Sequence, residues 1–403
     1  MKLKSLVGVI SVLLMMLTFA ACGNSASGDP TTPQGGENGL SEATAFLVNN
    51  EVSLRRVGTE TGYGTWNLDA YYKQTADIAL SYEWIPIGVG HTPGVVTSGA
   101  DSFRGHYDGG GYTISGLRIN YASGVDAGLF GQMVGGSTVK NVRLNNVNIT
   151  GTGNTSACHV GAIAGSILNN CIVQNCYVSG SINYGASNYD NPLQSFSVGG
   201  IAGDSYSMIE NCYSAVNVSK SNNQVAWFHC GGIAGSNSGT VRNCYSTGNV
   251  SITEIYGGGI VGYNFGTVEY CYAKGNISCF ANSGYIGGIT GYNFNTAANN
   301  ATVWHCTALN SAVTKTGSNP SGAGRVIGYM YSPITLSNNY ANSAMTVNGS
   351  AVLDASLTPT NDINGQGITS TDWNSASFWS DTVGFSSTAW SLANGRLPKL
   401  AWE

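Results

Sequence analysis

A single phrase returns down the middle of this chain: a glycine-bounded group of small apolar residues, followed a short way on by Asn-Cys-Tyr. Clear copies are Gly199-Gly-Ile-Ala-Gly203 with Asn211-Cys-Tyr213, Gly231-Gly-Ile-Ala-Gly235 with Asn243-Cys-Tyr245, and Gly258-Gly-Ile-Val-Gly262 with Tyr270-Cys-Tyr272. Worn copies flank them, Gly161-Ala-Ile-Ala-Gly165 with Asn175-Cys-Tyr177 and Gly287-Gly-Ile-Thr-Gly291 with His305-Cys-Thr307. Two fainter ones extend the array, Gly128-Leu-Phe-Gly131 with Asn141-Val142 and Gly324-Arg-Val-Ile-Gly328 with Asn339-Tyr340. The equivalent column reads Val142, Cys176, Cys212, Cys244, Cys271, Cys306, Tyr340, at steps of 27 to 36 residues. A period of this size means one supersecondary unit stacked on its neighbours, because a single unit cannot bury its own apolar face. The chain is predicted to be a solenoid.

Each repeat holds three short apolar runs separated by glycine or asparagine, in the cleanest unit Gly232-Ile-Ala-Gly235, Thr240-Val-Arg-Asn-Cys-Tyr245 and Asn249-Val-Ser-Ile252. Runs of this length, rich in Val, Ile and Tyr, read as strands and turns, and no window carries a helical stripe. The expected fold is all-β, a right-handed parallel β-helix of about seven or more coils with three strands per coil and caps at both ends. The repeated Gly-Gly sits where a sharp corner needs positive φ or close backbone approach. Asn237, Asn264 and Asn293 share one column and read as a hydrogen-bonded ladder along the coils. The β-helix proper is assigned to 121–349, an N-terminal cap with the first coils to 41–120, and a C-terminal cap to 350–403. In that last segment Trp373, Phe378, Trp379, Trp390 and Trp402 are expected to close the final coil, since an open sheet edge invites aggregation.

The leader is equally legible. Lys2 and Lys4 precede an apolar run from Leu6 to Phe19 and the small pair Ala20-Ala21, the pattern of an export signal rather than a membrane span. Phe19-Ala-Ala-Cys22 resembles the lipobox of bacterial lipoproteins, which implies residues 1–22 as a lipoprotein signal peptide, lipid on Cys22 and a membrane as partner. Residues 23–40, mostly Gly, Ser, Asn, Pro and Thr, read as a flexible tether. The net charge of −5, with only 9% charged residues, leaves no basic stripe to neutralise phosphates, so nucleic acid is excluded as a partner.

The glycine phrase with its following Asn-Cys-Tyr resembles the GLUG repeat family, as do the lead-in Phe103-Arg-Gly-His-Tyr-Asp-Gly-Gly-Gly-Tyr-Thr-Ile-Ser-Gly-Leu117 and the tail from Trp390 through Gly395, Pro398 and Leu400. That resemblance covers most of residues 41–402. It implies a bacterial surface protein, of a kind found among large adhesins and immunoglobulin-A-cleaving peptidases, here with no attached catalytic domain.

Five cysteines fall in one column, Cys176, Cys212, Cys244, Cys271 and Cys306. In-register neighbours sit ~4.8 Å apart with parallel Cβ vectors, a poor match to disulfide geometry, so the column reads as an interior thiol ladder. The redox state of Cys158, Cys171, Cys230 and Cys279 is left open. His159 beside Cys158 and His229 beside Cys230 are placed two coils apart, and no closed ligand set for a metal or cofactor emerges. The acids of the array are Asp190, Asp204, Glu210, Glu254 and Glu269. Glu210 and Glu269 flank Arg242 in one column, which reads as ion pairing on a solvated face rather than a catalytic pair. Asp108 reads as a turn residue. Repetition instead favours aromatics beside amides: Tyr263-Asn264-Phe265 and Tyr292-Asn293-Phe294, with Tyr206 nearby, and Tyr256 and Tyr285 in another column. Such groups stack on sugar rings and bond their hydroxyls. The expected function is non-enzymatic adhesion of an envelope protein to polysaccharide or glycoprotein surfaces. A polysaccharide lyase or glycoside hydrolase on the same scaffold, or a structural spacer, are the alternatives.

Overall fold

The computed structural model describes residues 37–89, 101–121, 126–151, 158–185, 195–220, 227–253, 255–280, 283–295, 300–317, 321–331, 335–352 and 359–403. The leader with Cys22, and the acids Asp190 and Glu254, lie outside the described residues.

The chain winds as a parallel β-solenoid whose coils build four sheets, where the sequence suggested three strands to a coil. In the cleanest coil the path is Trp227–Gly231, Ala234–Asn237, Thr240–Arg242, then the short pair Tyr245–Ser246 and Val250–Ile252. The four sheets these strands join are here numbered I to IV in that order. Each strand pairs in parallel with its equivalent one coil away: Cys230 with Val198, Ala234 with Val261, Val241 with Val268, Val250 with Ile277. Sheet I is the one the sequence hid. Its strands alternate inward Phe228 and Cys230 with outward Trp227 and His229, and they end in the glycines that looked like the start of the next strand.

Two kinds of corner turn the coil. The residue before each member of the inward column has positive φ: Asn141, Asn175, Asn211, Asn243, Tyr270, His305 and Asn338 all lie between 50° and 56°. Asparagine suits this corner because its short polar side chain tolerates the left-handed region, which costs other residues roughly 1–2 kcal/mol. The Gly-Gly corner works by the other route. Gly231 and Gly232 do not have positive φ, but a Cβ on Gly232 would collide with the Gly259 carbonyl oxygen and Ser246 Oγ. Glycine is required there for close approach between coils.

Val142 and the five column cysteines are fully buried. The column ends in Asn339 rather than Tyr340, because Tyr340 pairs with Thr307 and Asn339 Oδ1 accepts from Cys306 N at 3.1 Å. All eight cysteines whose side chains are described are buried thiols outside any disulfide, Cys171, Cys230 and Cys279 among them. The column thiols each donate to the carbonyl two residues back, at 3.1–3.3 Å. Burial pushes the thiols of Cys176, Cys212 and Cys271 well up.

At the N-terminal end, the strand Phe46–Val48 extends sheet III, and the helix Glu51–Arg56 is capped by Asn50, whose side chain accepts from Ser53 N at 2.8 Å. The last coil is covered by residues 359–368: Ile363 O accepts from Val326 N and Ile327 N, and Gln366–Ile368 pairs with Tyr340–Asn342. Residues 370–403, expected to close that coil, instead lie along the flank of sheet IV. The tyrosines of the Asn-Cys-Tyr motif form the reason, an outward ladder in which Tyr213, Tyr245 and Tyr272 stack at 4.0 and 4.7 Å. Trp379 and Trp390 pack on it, Tyr245 Oη donates to Glu403 and Tyr272 Oη to Pro398 O. Among the described residues no helix is long and apolar enough to cross a membrane.

Candidate functional site: the strip at the corner of sheets I and II

The Gly-Gly corner folds sheets I and II against each other, so their outward residues meet along one edge of the solenoid. The sheet I column reads His159, Ser197, His229, Tyr256, Tyr285. The sheet II column reads Gln132, Ser166, Asp204, Ser236, Tyr263, Tyr292, Tyr329. Cys158 and Cys230 do not share a column, since Cys158 pairs with Phe196 and Cys230 with Val198. Register alone therefore divides the strip into a polar end and an aromatic end.

At the aromatic end the rings pack on one another. Tyr256 stacks on Tyr292 at 4.6 Å and 11°, Tyr292 on Tyr329 at 5.6 Å and 8°, and Tyr263 meets Tyr292 at 5.2 Å. An outer row follows one position beyond the asparagine ladder. Phe265 meets Phe294 edge-on at 5.5 Å and Phe294 stacks on Tyr331 at 4.8 Å. The inner rings spend their faces on each other: Tyr256 and Tyr292 are buried, while Tyr329 and Tyr331 are 40% and 51% exposed. Tyr206 falls in the outer row two coils back, across Ser238, and is 56% exposed. Burial pushes the Tyr292 hydroxyl up to about 12 and raises Tyr256 and Tyr263 as well, so these edges act as neutral hydroxyls.

Asn264 and Asn293, expected to contact a ligand, cannot. Both are fully buried in the ladder, with Asn237 Nδ2 donating to Asn264 Oδ1 and Asn264 Nδ2 to Asn293 Oδ1, each at 2.9 Å. The pleat sends Tyr263 and Phe265 out and the asparagine between them in.

At the polar end, His159 sits between two carboxylates. Its Nδ1 lies 3.0 Å from Asp126 Oδ1 and 2.9 Å from Ser166 Oγ, and its Nε2 lies 3.9 Å from Asp204 Oδ2. Burial opposes protonation of His159, yet the Asp126 hydrogen bond and the two carboxylates override it and raise its pKa. Burial raises the Asp204 carboxyl. His229, fully enclosed, is pushed down to about 3 by burial, with a smaller push from His159. The arrangement is not a nucleophile with its base. Ser166 is buried, donates to Asp126 Oδ2 at 2.6 Å, and shares Nδ1 with Asp126 rather than facing Nε2. Glu210 pairs with Arg242 at 2.6 Å and Glu269 accepts from Trp304 Nε1 at 2.7 Å, which occupies the other two described acids of the array. Asp108 accepts from Gly110 N, as a turn residue does. No cluster of described residues could hold a metal ion.

Sequence reasoning missed Asp126, Tyr329 and Tyr331. The two tyrosines were signalled: Tyr329 follows Gly328 as Tyr263 follows Gly262 and Tyr292 follows Gly291.

The model of the GLUG motif matches residues 253–278, one coil of the array. A proposed Gly-rich membrane protein of Evansella cellulosilytica is 29% identical over 155 residues, 38% of this chain and 17% of that protein, so the chain spans only a small part of that relative's length. A crystal structure of a proposed immunoglobulin A1 protease from Bacteroides ovatus superposes with a TM-score of 0.58 at 20% identity, over 91% of this chain and 95% of the other. A second structure, an IgA1 protease, gives 0.52 at 16% identity, over 74% of this chain and 21% of that one. At such identities the likeness is one of fold. The chain thus carries the GLUG motif on one coil, and the motif's glycine corner, left-handed residue and inward cysteine repeat on the coils around it.

Proposed function

We propose that this chain is a cell-envelope β-helix protein, held to a membrane by lipid on Cys22, that binds glycans or glycosylated surface partners along the sheet I–II strip without cleaving them. One contrast carries the reading. The tyrosine ladder on sheet IV is covered by the chain's own C-terminal tryptophans, whereas no described residue covers the outer rings of the strip on sheets I and II, with Tyr329 and Tyr331 exposed. Open rings with neutral hydroxyls suit sugars, which offer apolar ring faces and hydroxyl partners together. The leader and the membrane protein of Evansella cellulosilytica support the envelope setting.

A hydrolytic reading draws on Asp204, a buried carboxyl with a raised pKa beside His159, and on the protease names of the similar folds. A glycan array with a product-release assay separates the two. Outer-row stacking contacts of about 1 kcal/mol each predict that Phe294→Ala/Tyr331→Ala weakens binding about 30-fold with no products formed by the wild type. Sugar ends released by the wild type, and lost in Asp204→Asn, establish an enzyme instead, a lyase if they are unsaturated and a hydrolase if only reducing ends appear. Undiminished binding by the double variant removes the strip.

A further inference from the structure

A second concavity lies on the opposite side of the coils, where the C-terminal segment meets sheets III and IV. It is a cleft of about 370 Å³ bounded by Lys73, Asp108, Asn141, Arg143, Asn175 and Trp402, with Gly110 and Gly111 at its floor, a size within the range of small-ligand sites, roughly 300–1,000 Å³. We propose that this cleft binds an acidic sugar, its carboxylate held by Arg143 and Lys73, beside the Trp402 ring and the asparagine amides.

The charges argue for an anion. Arg143 lies with its guanidinium carbon 5.4 Å from the Trp402 ring centroid, and its Nε is buried with no hydrogen-bond partner. Lys73 is exposed and makes no ion pair among the described residues. The cleft's one carboxylate is already engaged: Asp108 accepts from Gly110 N and Asn141 Nδ2, both at 2.9 Å, and lies 3.7 Å from Lys140 Nζ. Two cations thus face the cleft with no anion of their own, in a chain whose net charge is −5.

The remaining lining argues for a sugar rather than a bare anion. Trp402 is held by its Nε1 donating to Asn211 O at 2.8 Å, so the stacked guanidinium is fixed in orientation and its edge is free for bidentate bonding to a carboxylate. Asn175 Nδ2 donates to Asn141 Oδ1 at 3.2 Å, and Asn141 donates on to Asp108, which leaves Asn175 Oδ1 to accept from a sugar hydroxyl. A Cβ on Gly111 would meet nothing within 4 Å, so glycine keeps that wall of the cleft open.

Titration calorimetry at low salt with trigalacturonate, neutral trigalactose and inorganic phosphate tests the site. Trigalacturonate should bind, trigalactose should not, and Lys73→Gln and Arg143→Lys should each weaken trigalacturonate about tenfold or more. Lys73 is exposed, so Lys73→Gln keeps the test valid if an Arg143 variant fails to fold. Phosphate binding as tight as trigalacturonate, or unchanged affinity in Lys73→Gln, overturns the proposal. The cleft is independent of the aromatic strip, so Phe294→Ala/Tyr331→Ala should leave trigalacturonate affinity intact. If that variant alone abolishes it, the uronate sits on the strip and the cleft proposal falls.

Discussion

Two asparagine ladders run along this solenoid with similar hydrogen bonds and opposite surroundings, and they make a direct test of what a buried amide contributes. In the inner ladder Asn264 is fully buried. It accepts from Asn237 Nδ2, donates to Asn293 Oδ1 and to Gly266 O, and bonds at 2.9, 2.9 and 3.1 Å. In the outer ladder exposed Asn276 accepts from Ser311 N and Ala312 N, both at 3.1 Å, and its own N–H donates to Asn249 Oδ1. Replacing Asn264 with leucine strands Asn293 Oδ1 away from water, worth ~1–3 kcal/mol, and forfeits two further bonds at a net ~1 kcal/mol each, so the loss should be about 3–5 kcal/mol. Asn276→Ala leaves groups that water can satisfy, and should cost below about 1 kcal/mol. Urea denaturation of both variants, with midpoints and slopes compared to wild type, measures the difference. Equal losses would refute the reasoning, because burial would then make no difference to the worth of the ladder.

Gly232→Val should destabilise by about 3 kcal/mol, since its side chain meets the Gly259 carbonyl and Ser246; an unchanged melting temperature contradicts the close-approach corner. Alkylation of native, unreduced protein should leave Cys212, Cys244 and Cys271 unlabelled, and denaturation without reductant should label all three; recovery of any as a disulfide by mass analysis removes the thiol ladder. His229 titrates near 3 in the fold against its ordinary 6.5. Below pH 6.5 the unfolded chain therefore takes up a proton that the fold refuses, and stability falls by about 1.4 kcal/mol per pH unit down to about 3. His229→Phe should remove that slope from the pH dependence of unfolding, and an identical slope in both proteins places the acid sensitivity elsewhere.

The solenoid was legible because its inward columns repeat in kind. The cysteines and the Asn237–Asn264–Asn293 ladder fall in register inside, and the Glu210–Arg242–Glu269 column does so on the outer face. What the sequence hid were choices between residues of similar character. Asn338 and Asn339 stand side by side, and Asn338 takes the left-handed corner with φ 53°, which sends Asn339 inside to donate to Val303 O at 2.7 Å. Counting from the tyrosine misplaces that column by one. The fourth sheet was hidden because Trp227–Gly231 carries only two alternations before its glycines, too short to stand out from a loop. The tryptophans of the tail announced a cover, but nothing local in their sequence distinguished the end of a coil from its flank. At the strip, the tyrosines were visible by repetition, while the His159 cluster draws on Asp126, Ser166 and Asp204 from three successive coils and becomes a cluster only once register is known.

The aromatic end of the strip is not demanded by the solenoid itself. Coils at the polar end hold the same pairings with other residues: Ser236 stands where Tyr263 does on the next coil, Ser197 and His229 where Tyr256 does, and the strands remain in register throughout. The glycine corner beneath closes by backbone approach in every one of these coils. Inward positions have no such freedom, since Val198, Cys230, Ala234 and Val261 fill one continuous core. A coil can therefore dispense with outward tyrosines, and where a surplus aromatic ladder does occur on sheet IV the fold covers it with Trp379, Trp390 and Phe385. The sheet I–II ladder has the same stacked chemistry without such a cover among the described residues, and its outermost rings, Tyr329 and Tyr331, are exposed. Apolar rings left in water cost free energy that a bound surface recovers. That supports the proposed binding role, rather than coil assembly, as the reason for aromatic residues at this corner.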